Sequence, residues 1–216
     1  MTTAAPNGAP TAAPTDDELL DRQRALQAEA DEVHADLGLD ALLGALGTPV
    51  RVGSSALGLM VRRDLDVTVV CPRLDASAHE RVAAAGARLA LHERVWQVRF
   101  RNDTGVWNQE PYDYPDGLYL GLNYRSPAGL SQVGRTWNVD LWFVDDPDRQ
   151  PDLAHLRDLP PRLTEQTRLA ILRIKDAYAG SPEYGRGVRS WEVYRAVLDE
   201  GVRTPEEFER HRTGLS

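Results

Sequence analysis

Two aspartates open the run "DLDVTVV" at 64–70, downstream of a Gly-Ser pair at 53–54. In an extended chain side chains alternate between faces, so Asp64, Asp66 and Thr68 point one way and Leu65, Val67 and Val69 the other. Two carboxylates held this way can share a divalent cation; without one, their repulsion and desolvation are costly. Oxygen ligands of this kind favour Mg²⁺ or Mn²⁺ over zinc. Gly53 and Ser54, between a strand and a short helix, offer a close-approach turn with backbone N–H groups and a hydroxyl, an arrangement suited to phosphate. A third carboxylate on a neighbouring strand would complete a two-metal site, and Asp140 lies inside the strand-like run "TWNVDLWFV", where a charge is otherwise out of place.

Other residues are weighed beside these. Lys175 is the sole lysine among 25 basic residues. It sits beside the apolar stripe of a helix and shares a face with Arg168, seven positions earlier. A compact ammonium suits phosphate, and a surface lysine is the competing reading. Arg62 and Arg63 are expected to pair with acids on the surface. Trp107, Tyr112, Tyr114 and Tyr119 are expected to be small core anchors, with ring stacking as the alternative. Asp145 and Asp146 compete with Asp140, but their place before Pro147 suits a turn.

The elements that must position these residues are visible in outline. Thr15-Asp16-Asp17-Glu18 has the form of a capping box. The helix it starts carries Leu19, Leu26, Ala30, Val33 and Leu37, and Gly38 ends it. A short helix, "LDALLGALG", and a strand, "VRVGS", follow. After the acidic strand comes a helix, "DASAHERVAAAGARLA". Three strand-like runs succeed it, "RVWQVRF", "GLYLGLNY" and "TWNVDLWFV", the first two separated by a loop, "RNDTGVWNQEPYDYPD". Beyond residue 150 the pattern is helical. Leu163, Thr167, Ala170, Ile171, Ile174, Ala177 and Tyr178 form one stripe. Trp191, Tyr194, Val197 and Leu198 form another, with Ser190 as its cap, and "SPEYGRG" links the two. Thr204-Pro205-Glu206-Glu207 is a second capping box. The expected division is a disordered leader at 1–14, an α/β core at 15–150 and a C-terminal helical portion at 151–216.

Composition narrows the class. The chain has 216 residues, a formal charge of −8 and one cysteine. No run approaches a membrane span, and the Ala- and Pro-rich start is no secretory signal. A lone Cys71, before Pro72 and without an activating base, points to a cytoplasmic setting and to no thiol chemistry. The acidic balance argues against a long nucleic acid as partner. The histidines lack zinc spacing, and no Gly-x-Ser-x-Gly elbow, P-loop or dinucleotide fingerprint is present.

Gly53-Ser54, Asp64-Leu65-Asp66 and Asp140 together resemble the signature of the nucleotidyltransferase superfamily that includes DNA polymerase beta and the small antibiotic nucleotidyltransferases. The core likeness covers roughly residues 48–146. The resemblance implies an α+β fold, a mixed β-sheet flanked by helices, with the C-terminal helices closing the acceptor side. It implies Mg²⁺-dependent transfer of a nucleoside monophosphate from an NTP such as ATP to a hydroxyl. Asp64, Asp66 and Asp140 would hold two ions that clamp the attacking and leaving oxygens, and Asp140 would also act as base. Gly53, Ser54 and Lys175 would meet the triphosphate. With the acidic charge, the expected acceptor is a small molecule. The alternative is a catalytically inactive nucleotide-binding or protein-interaction module on the same fold, and a plain α+β domain is the third reading.

Overall fold

The computed structural model describes residues 13–127, 135–181, 184 and 187–214. The leader expected at 1–14 therefore lies outside the described residues except for its last two positions. Helix α1 (Asp16–Asp36) begins with the expected capping box: Glu18 N donates to Thr15 Oγ1 at 3.3 Å and Thr15 N donates to Glu18 Oε2 at 2.8 Å. Its buried stripe contains Leu19, Leu26, Ala30 and Val33. Gly38, at φ 60°, turns the chain into α2 (Leu39–Gly44).

Five strands form one mixed sheet in the order β1-β2-β5-β4-β3. They are β1 (Thr48–Val52), β2 (Asp64–Val70), β3 (Val95–Asp103), β4 (Gly117–Arg125) and β5 (Thr136–Val144). β2 and β5 run parallel and the other pairs are antiparallel. The inward faces are strongly apolar: Leu65, Val67, Val69, Val139, Leu141 and Phe143 are fully buried. Together with Leu118, Leu120 and Leu122 they pack against α1, α2 and α4 (Ala76–Ala90), the last capped by Asp75. β1 stops at Val52, so Gly53 and Ser54 open α3 (Gly53–Leu57) rather than close the strand. β3 runs on to Asp103, past the start of the segment read as loop, because Arg101–Asp103 continue to pair with β4.

The C-terminal third is α5 (Pro151–Asp158), α6 (Glu165–Ala179), α7 (Ser190–Asp199) and α8 (Pro205–Thr213). These helices share a second apolar cluster, including Ile171, Ile174, Val193, Val197 and Phe208. Leu57 and Leu59, beside α3, complete it, so this cluster abuts the turn that precedes the acidic strand. α6 is also tied to α1 by ion pairs Arg22–Asp176 and Arg173–Asp16.

Three expectations about side chains are corrected. Trp191 is 40% exposed; the buried face of α7 is Val193, Tyr194, Ala196 and Val197. Ser190 is the first helical residue rather than the cap, and its hydroxyl meets that of Tyr184 at 3.0 Å. Trp107 and Tyr112 are 66% and 97% exposed, in a loop held together by polar bonds from Asn108 Nδ2 to Tyr114 O and Pro115 O rather than by their rings.

Candidate active site

The register of β2 and β5 builds the site. Asp66 lies opposite Asp140 in the parallel pair, so their side chains leave the same face of the sheet, and Asp64 follows two residues away on that face. One carboxylate oxygen from each of the three lies within 4.8 Å of the others. Their mutual crowding has visible electrostatic consequences. Burial, then the charge of Asp140, pushes Asp64 up to about 6, with Arg62 and Lys175 opposing. Burial and then Asp64, Asp140 and Asp152 hold Asp66 well above the usual carboxylate range. Burial also raises Asp140, while the Tyr119 hydroxyl, Arg99 and Arg101 pull it back. Among the described residues no donor hydrogen-bonds to the carboxylates of Asp64 or Asp66. Three converging carboxylates, two of them without a described donor, fit a hard divalent cation.

Gly53 presses the α3 turn against this cluster. It holds φ +66°, and a Cβ there would lie 2.4 Å from Asp66 Oδ2. Only glycine satisfies both the backbone and the clearance. Ser54, next in the turn, lines a cavity of about 500 Å³ with Gly53, Asp64, Asp66 and Asp152. A smaller space of about 330 Å³ joins Ser54 and the two acids to Arg62, Lys175 and Tyr184.

Lys175 is no surface lysine. It is fully buried, and its Nζ donates to Leu59 O at 2.6 Å and to the Tyr194 hydroxyl at 3.3 Å. Burial pushes it down to about 7, and Asp64 and Asp66 work against that fall. An ammonium has three donors, so one remains for the cavity. Arg168, on the same helix, serves a different end: its Nη1 donates to Leu57 O and Gly58 O at 2.6 and 2.8 Å and closes the end of α3.

The remaining candidates separate. Arg63 makes a two-point pair with Glu29, as expected of a structural arginine. Arg62, expected on the surface, instead covers the Tyr184 ring at 4.2 Å and lines the Lys175 cavity. From there its charge acts on Asp64 and opposes the rise of that carboxyl. Tyr119 is buried as expected, but its hydroxyl donates to Asp140 Oδ1 at 2.5 Å. Asp145 accepts from Leu74 N at 2.9 Å and so belongs to a turn. Burial pushes the Cys71 thiol up, away from reactivity.

Several site residues escaped the sequence reading. Asp152, in the first turn of α5, borders all three cavities, and burial raises its carboxyl. Tyr194 and Arg189 join from the C-terminal helices. A third cavity, of about 580 Å³, is lined by Arg101, Trp142, Tyr114, Asp152 and Arg189 and shares the last three with the 500 Å³ cavity. Asp152 has no sequence mark that distinguishes it from an ordinary helix-start acid.

The fold is similar to those of solved structures. Cid1 poly(U) polymerase with MgGTP bound gives a TM-score of 0.52 at 16% identity, over 85% of this chain and 56% of that one. A mutant of Cid1 with MgATP bound gives 0.51 at 15% identity, over 84% and 50%. The chain has a nucleotidyltransferase fold. It spans about half the length of the solved structures it matches. No protein-family model and no curated protein matches the sequence. Within the nucleotidyltransferase fold the three acids occupy adjacent parallel strands, β2 and β5, and the C-terminal helices stand across the cleft from them. No described helix is long and apolar enough to cross a membrane.

Proposed function

We propose that this chain is a Mg²⁺-dependent nucleotidyltransferase that moves a nucleoside monophosphate from an NTP to a hydroxyl. The observation that carries this reading is the convergence of Asp64, Asp66 and Asp140 beside the Gly53 bend. Magnesium, when bound, supplies charge neutralisation and Lewis acidity at the transferring phosphoryl group. Asp64, Asp66 and Asp140 would hold it. Gly53 and Ser54 receive phosphate oxygens at the turn, and Lys175 turns its free N–H toward them. Arg62 adds a second positive charge from the wall of the same space. The acceptor hydroxyl oxygen bonds to the α-phosphorus, the bond to pyrophosphate breaks, and the hydroxyl proton passes to the Asp140 carboxylate. In this arrangement most of the rate comes from positioning and fixed charge. Residues 15–150 form the catalytic core, and 151–216 supply Lys175 and close the cleft. The single cysteine supports a cytoplasmic setting.

The small-molecule acceptor expected from the acidic charge has no support in the likenesses. The end of an RNA is favoured by the similarity to a poly(U) polymerase and by the cavity lined by Arg101, Trp142, Tyr114 and Asp152, where Arg101 lies 5.3 Å over the Trp142 ring. Aromatic and arginine side chains lining one pocket are the groups on which a terminal base stacks. Extending an RNA end requires a grip on only the last nucleotides, which a net charge of −8 does not prevent.

Calorimetry with each NTP and Mg²⁺, on the native chain and on D64N/D66N, tests the reading. The native chain is expected to bind and the folded variant to lose metal-dependent binding; equal affinities overturn it. Pyrophosphate release with oligoribonucleotides against a panel of small hydroxylated acceptors then decides the acceptor. Absence of release with either class, despite NTP binding, establishes the inactive module instead.

A further inference from the structure

Asp140 is the most exposed to misplacement of the three acids. Asp64 and Asp66 repel it, while Arg99 and Arg101 attract it. Both forces draw its side chain toward the arginines. What stands in the way is Tyr119. Its hydroxyl donates to Asp140 Oδ1 at 2.5 Å and takes a longer contact, 3.5 Å, from Arg99 Nη2. Its ring is 8% exposed, packs on Trp142 with centroids 4.8 Å apart and is covered by Arg101 at 4.9 Å. The hydroxyl reaches Asp140 by crossing position 121, which pairs with Asp140 in the β4/β5 register. A Cβ at Gly121 would lie 2.3 Å from that hydroxyl oxygen. The tyrosine and the glycine are thus two halves of one fitting, set on the strand next to the third acid.

We propose that Tyr119 is a positioning residue: by passing its hydroxyl over Gly121 it holds the Asp140 carboxylate in the orientation that meets Asp64 and Asp66. The proposal rests on the metal-binding reading of the three acids. Partners of this kind, which bond to a ligand rather than to the metal, change metal affinity when removed because the ligand loses its orientation.

The test is Mn²⁺ titration of the full chain by calorimetry and paramagnetic resonance, without NTP or acceptor. Y119F keeps the ring and its packing but deletes the donor. G121A keeps the donor but crowds it out of reach. Each is expected to weaken Mn²⁺ binding by about tenfold or more, while Y119F in chelator keeps the circular dichroism of the native chain. Mn²⁺ affinity within about twofold of native in folded Y119F overturns the proposal and leaves the metal site standing, since orientation by the hydroxyl then counts for nothing. A native chain that binds no Mn²⁺ overturns both. Where Y119F does not fold, G121A decides by the same criterion.

Discussion

At Asp66 the requirements of folding and of function oppose each other. A buried carboxylate with two like neighbours and no donor costs stability until a cation arrives. D66N is therefore expected to raise the unfolding midpoint of the metal-free chain while abolishing its stabilisation by Mg²⁺; calorimetric melts with chelator and with Mg²⁺ check both signs. Asp64 adds a pH dependence. Its folded value of about 6 lies above the ordinary carboxylate value, so the folded state holds the proton more tightly than the unfolded one. That contribution is fully present below the unfolded value of about 4 and is lost as pH rises through about 6. In chelator, D64N is expected to lose this downward slope, seen as the difference between the native and variant melting curves across the interval. Lys175 is read most directly with K175M, which keeps the bulk and removes the charge. A hydrogen bond to a charged group is worth about 1.5–3 kcal/mol, so Mg²⁺-dependent NTP affinity is expected to fall about tenfold or more.

Among the elements, α3 and α6 act together. α3 is only five residues long and could not persist alone. Gly58, at φ +65°, ends it, and Arg168 from α6 caps its last carbonyls. Lys175, two turns further along α6, holds Leu59 O. One helix thus anchors the turn on which Gly53 and Ser54 sit. G53A would force a strained φ and push a methyl against Asp66, so it is expected to cost about 1–3 kcal/mol and to weaken Mn²⁺ binding with it. R168A is expected to destabilise by a similar about 1–3 kcal/mol through the carbonyls it leaves unpaired, with Asp64, Asp66 and Asp140 untouched. Denaturant melts alongside Mn²⁺ titration separate the two effects: a loss of both properties in G53A, and chiefly of stability in R168A.

For the molecule as a whole, the two apolar clusters are not independent. Leu57 and Leu59 belong to the C-terminal cluster although they precede the acidic strand. Ion pairs from Arg173 and Asp176 bind α6 to α1. A chain ending at residue 150 would expose that surface and lose Lys175, Tyr194 and Asp152 from the cleft. It is expected to unfold at lower denaturant than the full chain and to bind no NTP; the full chain is expected to melt in a single transition. Two separate transitions in the full chain, with NTP binding kept by the shorter one, would assign the C-terminal helices a merely peripheral place.

Much of this was legible in residue order because it depends on short-range physics. Alternation in "DLDVTVV" put two acids on one face, capping boxes marked the starts of α1 and α8, and the stripe from Leu163 to Tyr178 marked α6. An isolated Asp140 within an apolar strand already asked for a partner. Strand pairing could not be read this way, since nothing local says that β5 inserts between β2 and β4 in the register that sets Asp66 opposite Asp140. Likewise the pairing of β4 with β5 brings Tyr119 to Asp140, and packing of the C-terminal helices sets Arg62 against Tyr184 and makes Lys175 a buried donor rather than a surface charge. Which residues can do chemistry is written in their side chains and their immediate spacing. Which of them meet is decided by packing between segments far apart in the chain, where burial and charge act through space and sequence distance carries no information.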